Sequence, residues 1–263
     1  MKFNGVSGNL KVENISKGYR NDKVVLERGP KDKFHNILLT NTSRLDLTCV
    51  VVGGSPNILN YGLGEKINQR DKIIRVNSCN TEGYEEHVGN TTNIWATSLN
   101  PAKTFNKSRQ KNFYFPEEIR DNEVWFRVQM TYKQYMEYIN RWFGNGMNYR
   151  ILSNKNFSTK NNPFTKDASP NTKPFKKRPT ITTGTMAVLG ALQLYQNVDI
   201  VGFTFYNETS SNNNSTYVGI TLNEDLKRHA KANATLFKPY VDEGRLIFLN
   251  DQERENYDKL IKD

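Results

Sequence analysis

The chain has 263 residues, of which 36% are hydrophobic and 11% aromatic, and its formal net charge is +10. This length allows one large domain, or one domain with an insertion. The charge favours anionic partners, but it is scattered and no nucleic-acid recognition motif is present, so we expect no nucleic acid among them. No apolar run reaches the roughly 18 residues of a membrane span, and the first residues lack the pattern of a signal peptide.

Residues 1–45 are polar and basic and contain two short strand candidates, at 23–26 and 35–39. Strongly patterned apolar segments begin only after this stretch. We therefore expect an N-terminal extension over 1–45 that packs on the edge of a core domain spanning 46–263.

An apolar, β-branched run at 49–52 stops at Gly53, Gly54 and Ser55. A short apolar run bounded by turn residues is typical of a strand buried on both faces. Glycines after such a strand allow backbone N–H groups to approach a ligand closely. The same pattern occurs in α/β proteins that bind no nucleotide, and both the GxGxxG fingerprint and the P-loop are absent. The pattern alone leaves nucleotide binding and an ordinary buried strand both open.

A second apolar run, at 72–76, ends at Asn77. Open α/β sheets bind ligands at the carboxyl ends of their strands, so the Asn77 amide is a candidate ligand contact. The two cysteines, Cys49 and Cys79, lie on or beside these strands. We expect both to be reduced core thiols.

Further strands are predicted at 93–97 and 123–130, and Ser98 and Asn100 follow the first of these at the same sheet edge. Helical spacing of apolar residues predicts a helix over 131–143. The Lys-, Asn- and Pro-rich stretch 153–177 predicts a mobile loop, which is either a linker or an active-site cover.

A Thr- and Gly-containing turn at 182–185 precedes an apolar helix predicted at 186–195 and a strand at 199–203. Hydroxyls and free N–H groups at a helix N-terminus can receive an anion, although an ordinary helix cap gives the same pattern. The alternation of strands and helices predicts an α/β fold: a single Rossmann-like domain with a mostly parallel, twisted sheet flanked by helices.

Both turns lie in stretches that resemble the large and small sialyl motifs of animal-type sialyltransferases. The second stretch is also similar to bacterial lipooligosaccharide sialyltransferases, through its Gly202-Phe203-Thr204-Phe205-Tyr206 end and the following 214–227. The matching parts are the Cys-led strand and turn 49–55, the Gly-x-Gly segment 62–67, Arg75-Val76-Asn77, the Gly-x-Glu segment 83–92 and the Thr-Thr-Gly segment 178–203. The resemblance leaves 101–177 unmatched.

This resemblance implies a variant of the GT-A fold and an inverting glycosyltransferase. Such an enzyme moves sialic acid, or the similar sugar acid Kdo, from a CMP-activated donor to a hydroxyl of an acceptor glycan or glycolipid. The leaving group is a phosphate, so no metal and no cofactor besides the CMP-sugar substrate are expected. The implied nucleotide contacts are Gly53, Gly54, Ser55, Asn77, Ser98, Asn100, Thr182, Thr183, Gly184 and Thr185.

The resemblance also implies catalytic roles. Tyr206 matches a bacterial-family tyrosine whose hydroxyl assists departure of the phosphate, and Tyr217 is a candidate second donor. The family histidine that acts as base falls near Ile220 or Thr221, so His229 is the best remaining candidate. Glu224 and Asp225 are further alternatives.

Two departures from the families affect these expectations. Both families carry Asn where this chain has Gly54, so one nucleotide contact is missing or supplied otherwise. The animal family pairs its large-motif cysteine with a second cysteine, and here that position is Tyr195. The missing disulfide suits a reducing compartment.

Other functions fit the same pattern. A non-catalytic nucleotide-sugar or glycan-binding protein is one, since the base histidine is missing. A nucleotide-using relative similar to pterin pyrophosphokinases is another, and it would need Mg²⁺ and carboxylates. The expected location is cytoplasmic, with an anionic membrane surface as a candidate partner, or the Golgi lumen if an N-terminal anchor has been removed.

Overall fold

The computed structural model describes residues 25–28, 44–77, 80–97, 120, 123–127, 148–153, 181–205 and 230–262. In this part of the chain eight strands form one sheet. Their bounds are β1 Val25–Arg28, β2 Cys49–Val52, β3 Lys72–Val76, β4 Ile94–Thr97, β5 Glu123–Arg127, β6 Asn148–Ser153, β7 Val198–Val201 and β8 Leu246–Phe248.

The strand order across the sheet is β1-β6-β5-β4-β3-β2-β7-β8. Every neighbouring pair from β6 to β8 is parallel, and β1 alone runs antiparallel, against β6 at one edge. The prediction of a mostly parallel α/β sheet is confirmed. β1 lies within the predicted N-terminal extension, but the division of the chain at residue 45 stays a prediction.

Short helices and two of twelve residues each, Thr183–Leu194 and Asp251–Lys262, cover the faces of the sheet. The first of these two is almost entirely buried, as expected for a helix between a sheet and other helices. The helices are a 3₁₀ helix Pro56–Asn60, α1 Gly64–Asn68, α2 Glu85–Val88, α3 Thr183–Leu194, α4 Ala230–Thr235, α5 Lys238–Asp242 and α6 Asp251–Lys262.

β2 shows why a central strand of this sheet can be apolar at every position. Cys49 and Val51 belong to the core cluster that contains α3, whereas Val50 and Val52 pack in a second cluster with Ile58 of the 3₁₀ helix. Successive side chains of a strand point to opposite faces, so a strand covered on both sides needs apolar residues at every position. The sheet is therefore the middle layer of three, as in Rossmann-like proteins.

The connections reverse direction beside β2. From β2 the chain proceeds through β3 to β6 on one side, and it then returns through α3 to β7 on the other side of β2. In open α/β sheets the crevice at the carboxyl ends of the strands flanking such a reversal is the usual ligand site. The carboxyl ends of β2 and β7 are thus the first place to look for a site.

The sequence pattern of 223–240, with Glu224 and Asp225 at its start, predicts a single helix, and this prediction needs correction. The described part has α4 and α5 separated by a turn, with Pro239 in the first turn of α5. Proline is tolerated there because its missing N–H would lie outside the helical bonds.

The charged stretch 250–263 predicts a surface helix, and α6 is a helix with exposed residues along one side. Glu253 and Tyr257 on its other side are buried against the core.

The predicted helix 131–143 and nearly all of the predicted mobile loop 153–177 lie outside the described residues. Among the helices that the structure does describe, none has the length and apolar character to span a membrane.

Candidate active site

The turn after β2 is fixed to the turn after β7 by backbone hydrogen bonds. We call residues Gly53–Ser55 the first elbow and Gly202–Phe205 the β7 turn. The N–H of Gly53 donates to the carbonyl oxygen of Val201 at 2.8 Å, and the N–H of Ser55 donates to that of Gly202 at 3.2 Å. The first elbow therefore lies at the carboxyl ends of both strands that flank the reversal.

A side-chain contact joins the same two turns. The Ser55 hydroxyl donates to Thr204 Oγ1 at 3.2 Å, and both residues are buried. Because a buried hydroxyl without a partner is costly, this pair favours the observed spacing of the two turns.

The second elbow, Thr182–Thr185, begins α3. Thr182 is the N-cap, and its Oγ1 accepts from the N–H of Thr185 at 3.2 Å. Thr183 and Thr185 are buried, whereas Thr182 and Gly184 are half-buried. The expected nucleotide contacts in this elbow therefore divide into two that can meet a ligand from outside and two that pack inward.

The ring of Phe203 separates the two elbows. A methyl group added to Gly53 would stand 3.2 Å from Phe203 Cδ2, and one added to Gly184 would stand 2.9 Å from Cε1, at the opposite corner of the ring. Glycine is therefore needed on both sides of this ring. The two predicted turns, which lie far apart in sequence, are brought together at one sheet edge.

Asn77 lies one strand further along this edge. Its backbone has φ of 56°, in the left-handed region that Asn adopts more readily than most residues. Its N–H donates to the carbonyl oxygen of Ala96 at 2.7 Å, and its own carbonyl oxygen accepts from Trp95 Nε1 at 2.7 Å. The backbone is thus fixed while the side chain stays half-buried at the carboxyl end of β3.

A model of glycosyltransferase family 29 (sialyltransferase) matches residues 9–233, which is most of the chain. The chain belongs to this family. The predicted resemblance is thereby confirmed.

Curated relatives match over parts of their length. An alpha-N-acetylgalactosaminide alpha-2,6-sialyltransferase 1 from Gallus gallus is 26% identical over 206 residues, which cover 68% of this chain and 36% of that protein. A beta-1,6-galactosyltransferase GALT29A from Arabidopsis thaliana is 38% identical over 73 residues, 28% of this chain and 18% of that protein. The human lactosylceramide alpha-2,3-sialyltransferase is 40% identical over 75 residues, 28% of this chain and 17% of that protein. The matched part thus spans less than two fifths of each relative.

A solved structure supports the fold. The crystal structure of a mammalian sialyltransferase in complex with Gal-beta-1-3GalNAc-ortho-nitrophenol matches with a TM-score of 0.50 at 17% identity, over 78% of this chain and 69% of that one. The Rossmann-like, GT-A-related architecture expected from the motifs is therefore confirmed for this member of family 29.

A buried guanidinium stabilises the loop that follows α2 in this family 29 domain. Arg75 of β3 is fully buried. Its Nε donates to the carbonyl oxygen of Thr91 and to Thr92 Oγ1, each at 3.1 Å, and a terminal nitrogen donates to the carbonyl oxygen of Val88 at 2.7 Å. The Arg of the Arg-x-Asn segment is therefore structural, and the Asn that follows it is the residue at the site edge.

Several predicted site residues lie outside the described residues, and their roles stay predictions. They are Ser98, Asn100, Tyr206, Tyr217 and His229, together with the alternative bases Glu224 and Asp225. Among the residues that the structure does describe, no three His, Cys, Asp or Glu side chains are grouped so that they could hold a metal ion. Metal independence also stays a prediction.

Cys49 is a free, buried thiol, as expected. Burial raises its pKa well above the usual value, and the nearby Asp199 carboxylate adds to this effect. A thiol held in its neutral form is a poor nucleophile, so Cys49 is a core residue. Cys79 lies outside the described residues.

Three residues near the elbows were missed by sequence reasoning. Thr204 lies in the family segment but was not assigned a contact. Asn233 of α4 accepts from the N–H of Thr182 through Oδ1 at 2.9 Å, and Glu253 of α6 accepts from the β7 turn. The Asn-x-x-Glu spacing at 250–253 indicates a helix start, but no sequence pattern indicates which distant turn such a side chain contacts.

Proposed function

We propose that this protein is a metal-independent, inverting glycosyltransferase that transfers sialic acid, or a similar 2-keto sugar acid such as Kdo, from CMP to a glycan hydroxyl. The observation that carries the proposal is the convergence of the two elbows around Phe203, at the reversal of strand order, in a chain of family 29. The acceptor is proposed to be a glycan or a glycolipid.

The proposed transfer reaction requires the protein to bind the CMP-sugar and the acceptor, to stabilise the departing phosphate and to accept a proton from the acceptor hydroxyl. CMP leaves as a phosphate, so the transition state needs hydrogen-bond donors directed at that phosphate and a base for the acceptor hydroxyl. The second elbow supplies the N-terminus of the twelve-residue helix α3, where the first backbone N–H groups have no acceptor within the helix and the helix dipole favours an anion. The half-buried Gly54 and Asn77 follow β2 and β3 at the same edge of the sheet.

The catalytic assignments follow the family pattern. Tyr206 directly follows the β7 turn along the chain, which supports its proposed role as a hydroxyl donor to the departing phosphate. Tyr217 is proposed as a second donor. His229 directly precedes α4, whose Asn233 contacts the second elbow, and this proximity in sequence supports it as the base.

A second candidate is a non-catalytic nucleotide-sugar-binding protein of the same fold. The observation that favours it is the presence of Ile220 and Thr221 where the family histidine is expected. The two functions share a nucleotide site and differ in turnover.

Binding and turnover are tested separately. Calorimetric titration with CMP in the presence of a chelator is expected to show binding, and absence of heat would overturn both candidates. CMP release is then measured with CMP-sialic acid, CMP-Kdo and UDP-galactose, the last because one relative is named a galactosyltransferase, each with and without β-galactoside acceptors. Release that depends on the acceptor supports the transferase. Binding without release with any of these donors supports the second candidate.

Variants assign the catalytic groups. Tyr206→Phe and His229→Ala are expected to lower turnover by about a hundredfold or more with little change in CMP affinity. Tyr240→Phe, a change of the same kind on α5, is the matched control and is expected to leave turnover unchanged. Unchanged turnover in both site variants would remove their proposed roles.

The net charge of +10 supports the proposed contact with an anionic membrane surface. Co-sedimentation with phosphatidylserine vesicles, compared with vesicles of neutral lipid, tests this proposal. The compartment, cytoplasmic or lumenal, is tested by localising the tagged full-length protein.

A further inference from the structure

Glu253 is a fully buried carboxylate whose position is set by the start of α6. Its N–H donates to Asn250 Oδ1 at 3.1 Å, which caps the helix. Its side chain contacts the β7 turn, where Oε1 accepts from the N–H of Gly202 at 2.8 Å and Oε2 accepts from that of Phe203 at 3.3 Å.

Burial of a carboxylate is unfavourable unless hydrogen bonds compensate for the lost water. Here the carboxylate satisfies two consecutive backbone N–H groups of a turn that is not regular structure. Gly202 has φ of 77° and Phe205 has φ of 52°, which is costly for a residue with a side chain. The contacts of Glu253 therefore favour a backbone conformation that the turn would not adopt readily on its own.

The β7 turn is the element that sets the distance between the two elbows. It places the Phe203 ring between Gly53 and Gly184, and it places Thr204 against Ser55. A change in the backbone conformation of the β7 turn would therefore alter the positions of both elbows.

The second elbow has an equivalent contact from the same end of the chain. The buried Asn233 of α4 accepts from the N–H of Thr182. Two side chains from the C-terminal helices thus bind backbone N–H groups beside the site, one at the β7 turn and one at the second elbow.

We propose that Glu253 is a positioning residue for the nucleotide: it fixes the β7 turn and, through Phe203 and Thr204, sets the separation of the two elbows. The inference rests on the proposed function. It also predicts that the N–H groups of Gly202 and Phe203 are unavailable to the ligand, so the backbone donors to the nucleotide come from the elbows themselves.

The test compares Glu253→Gln with Glu255→Gln, the same change at an exposed position two residues further along α6. The glutamine can keep the bond from Gly202 through its oxygen, but its NH₂ group would face the N–H of Phe203. Amide hydrogen exchange of a peptide covering 202–205 reports on the turn without ligand. Calorimetry with CMP, and donor KM and kcat in the transfer assay, report on the site.

For Glu253→Gln we expect faster exchange in this peptide, CMP affinity weaker by about tenfold (about 1.4 kcal/mol) and a raised donor KM with kcat retained at saturating donor. Glu255→Gln is expected to match the wild type in all of these. Exchange and CMP affinity equal in the two variants would overturn the proposal. Lowered thermal stability of Glu253→Gln with unchanged CMP affinity would also overturn it, since the residue would then be structural only.

Two further outcomes keep the test decisive. If the wild type itself does not bind CMP, the proposed function fails, and the exchange comparison still decides whether Glu253 fixes the turn. If Glu253→Gln does not fold, Thr204→Val breaks the contact with Ser55 and leaves the carboxylate in place. We then expect weaker CMP binding by this variant, and wild-type affinity would overturn the proposal.

Discussion

Gly53 and Gly202 lie in direct backbone contact, although they follow strands far apart in the sequence. A methyl group on Gly53 would overlap the carbonyl oxygen of Gly202 and stand 2.9 Å from its carbonyl carbon. Backbone atoms cannot move aside as the end of a side chain can. The approach of β2 and β7 at their carboxyl ends therefore depends on glycine at position 53.

Gly53→Ala is accordingly expected to lower the free energy of unfolding by about 3 kcal/mol, at the upper end for overpacking, and to abolish measurable CMP binding. Urea unfolding and calorimetry measure the two effects. Gly62→Ala is the control, because Gly62 has φ of 58° with open space around it. It should cost only about 1 kcal/mol through backbone strain and leave CMP binding intact. Equal effects of the two substitutions would contradict the steric explanation.

Arg75→Lys is expected to destabilise the protein by about 3 kcal/mol or more. Lysine cannot reproduce the planar set of donors that contacts Val88, Thr91 and Thr92, and its charge would stay buried. Arg44→Lys is the matched control, since Arg44 is exposed. Urea unfolding is expected to place the control within about 0.5 kcal/mol of the wild type. A loss that small for Arg75→Lys would show that its hydrogen bonds are replaceable.

The pH dependence in acid should include a contribution from the carboxyl of Asp71. The Thr48 hydroxyl, and then the Thr48 N–H, donate to this carboxylate and lower its pKa from the usual 3.8. A carboxyl whose pKa is lower in the folded state stabilises the protein at pH above its unfolded-state pKa. This contribution to the free energy of unfolding is lost as pH falls through its folded-state pKa. Thr48→Val removes the hydroxyl donor, so its thermal midpoint should depend less on pH below about 4 than that of the wild type.

Thr235→Val provides the control for this experiment. The Thr235 hydroxyl donates to the backbone carbonyl oxygen of Lys231. A backbone carbonyl has no titratable proton. Its acid profile should therefore run parallel to that of the wild type. Parallel profiles for Thr48→Val as well would contradict a role of this hydroxyl in the titration of Asp71.

The β2, β3 and β4 region could be predicted from the sequence because its signal is local. A strand covered on both faces needs mostly apolar residues, and Cys49–Val52 shows this pattern throughout. Lys72–Val76 shows it apart from Lys72 at its start and Arg75, whose buried guanidinium is hydrogen-bonded. The two elbows could be predicted for a similar reason. Glycine at a strand end, and Thr at a helix start, are chosen by backbone geometry and capping at those positions.

The contacts that join the elbows could not be predicted in this way. Glu253 contacts the β7 turn across a long sequence separation. Its place three residues after Asn250 indicates a helix start, but no local pattern indicates that its carboxylate contacts this turn. The helix break before Pro239 was missed because apolar spacing continues across it. Residue-level periodicity describes which face of an element is buried, and tertiary packing decides what that face contacts.

Tyr257 of α6 gives a prediction for alkaline conditions. Its ring contacts Phe205 and Phe248, its side chain is almost fully buried, and its hydroxyl has no hydrogen-bond partner in the part of the chain that the structure describes. Burial, and then the Asp242 carboxylate, raise the pKa of Tyr257 from 10.0 to about 12. The folded state thus disfavours the tyrosinate. The contribution of Tyr257 to the free energy of unfolding is fully present below its unfolded-state pKa of 10.0, and it is lost as pH rises through its folded-state pKa of about 12.

Tyr257→Phe should therefore be at least as stable as the wild type at neutral pH, by up to about 1 kcal/mol, because it removes a buried hydroxyl without a partner. Above pH 10.0 its stability should fall less steeply than that of the wild type, since the group that titrates is gone. Urea midpoints measured at neutral pH and at several pH values above 10 test both statements. Tyr84→Phe, on a half-buried ring beside α2, should retain the wild-type alkaline loss. A neutral-pH destabilisation of Tyr257→Phe by more than about 1 kcal/mol would mean that the hydroxyl is hydrogen-bonded in solution.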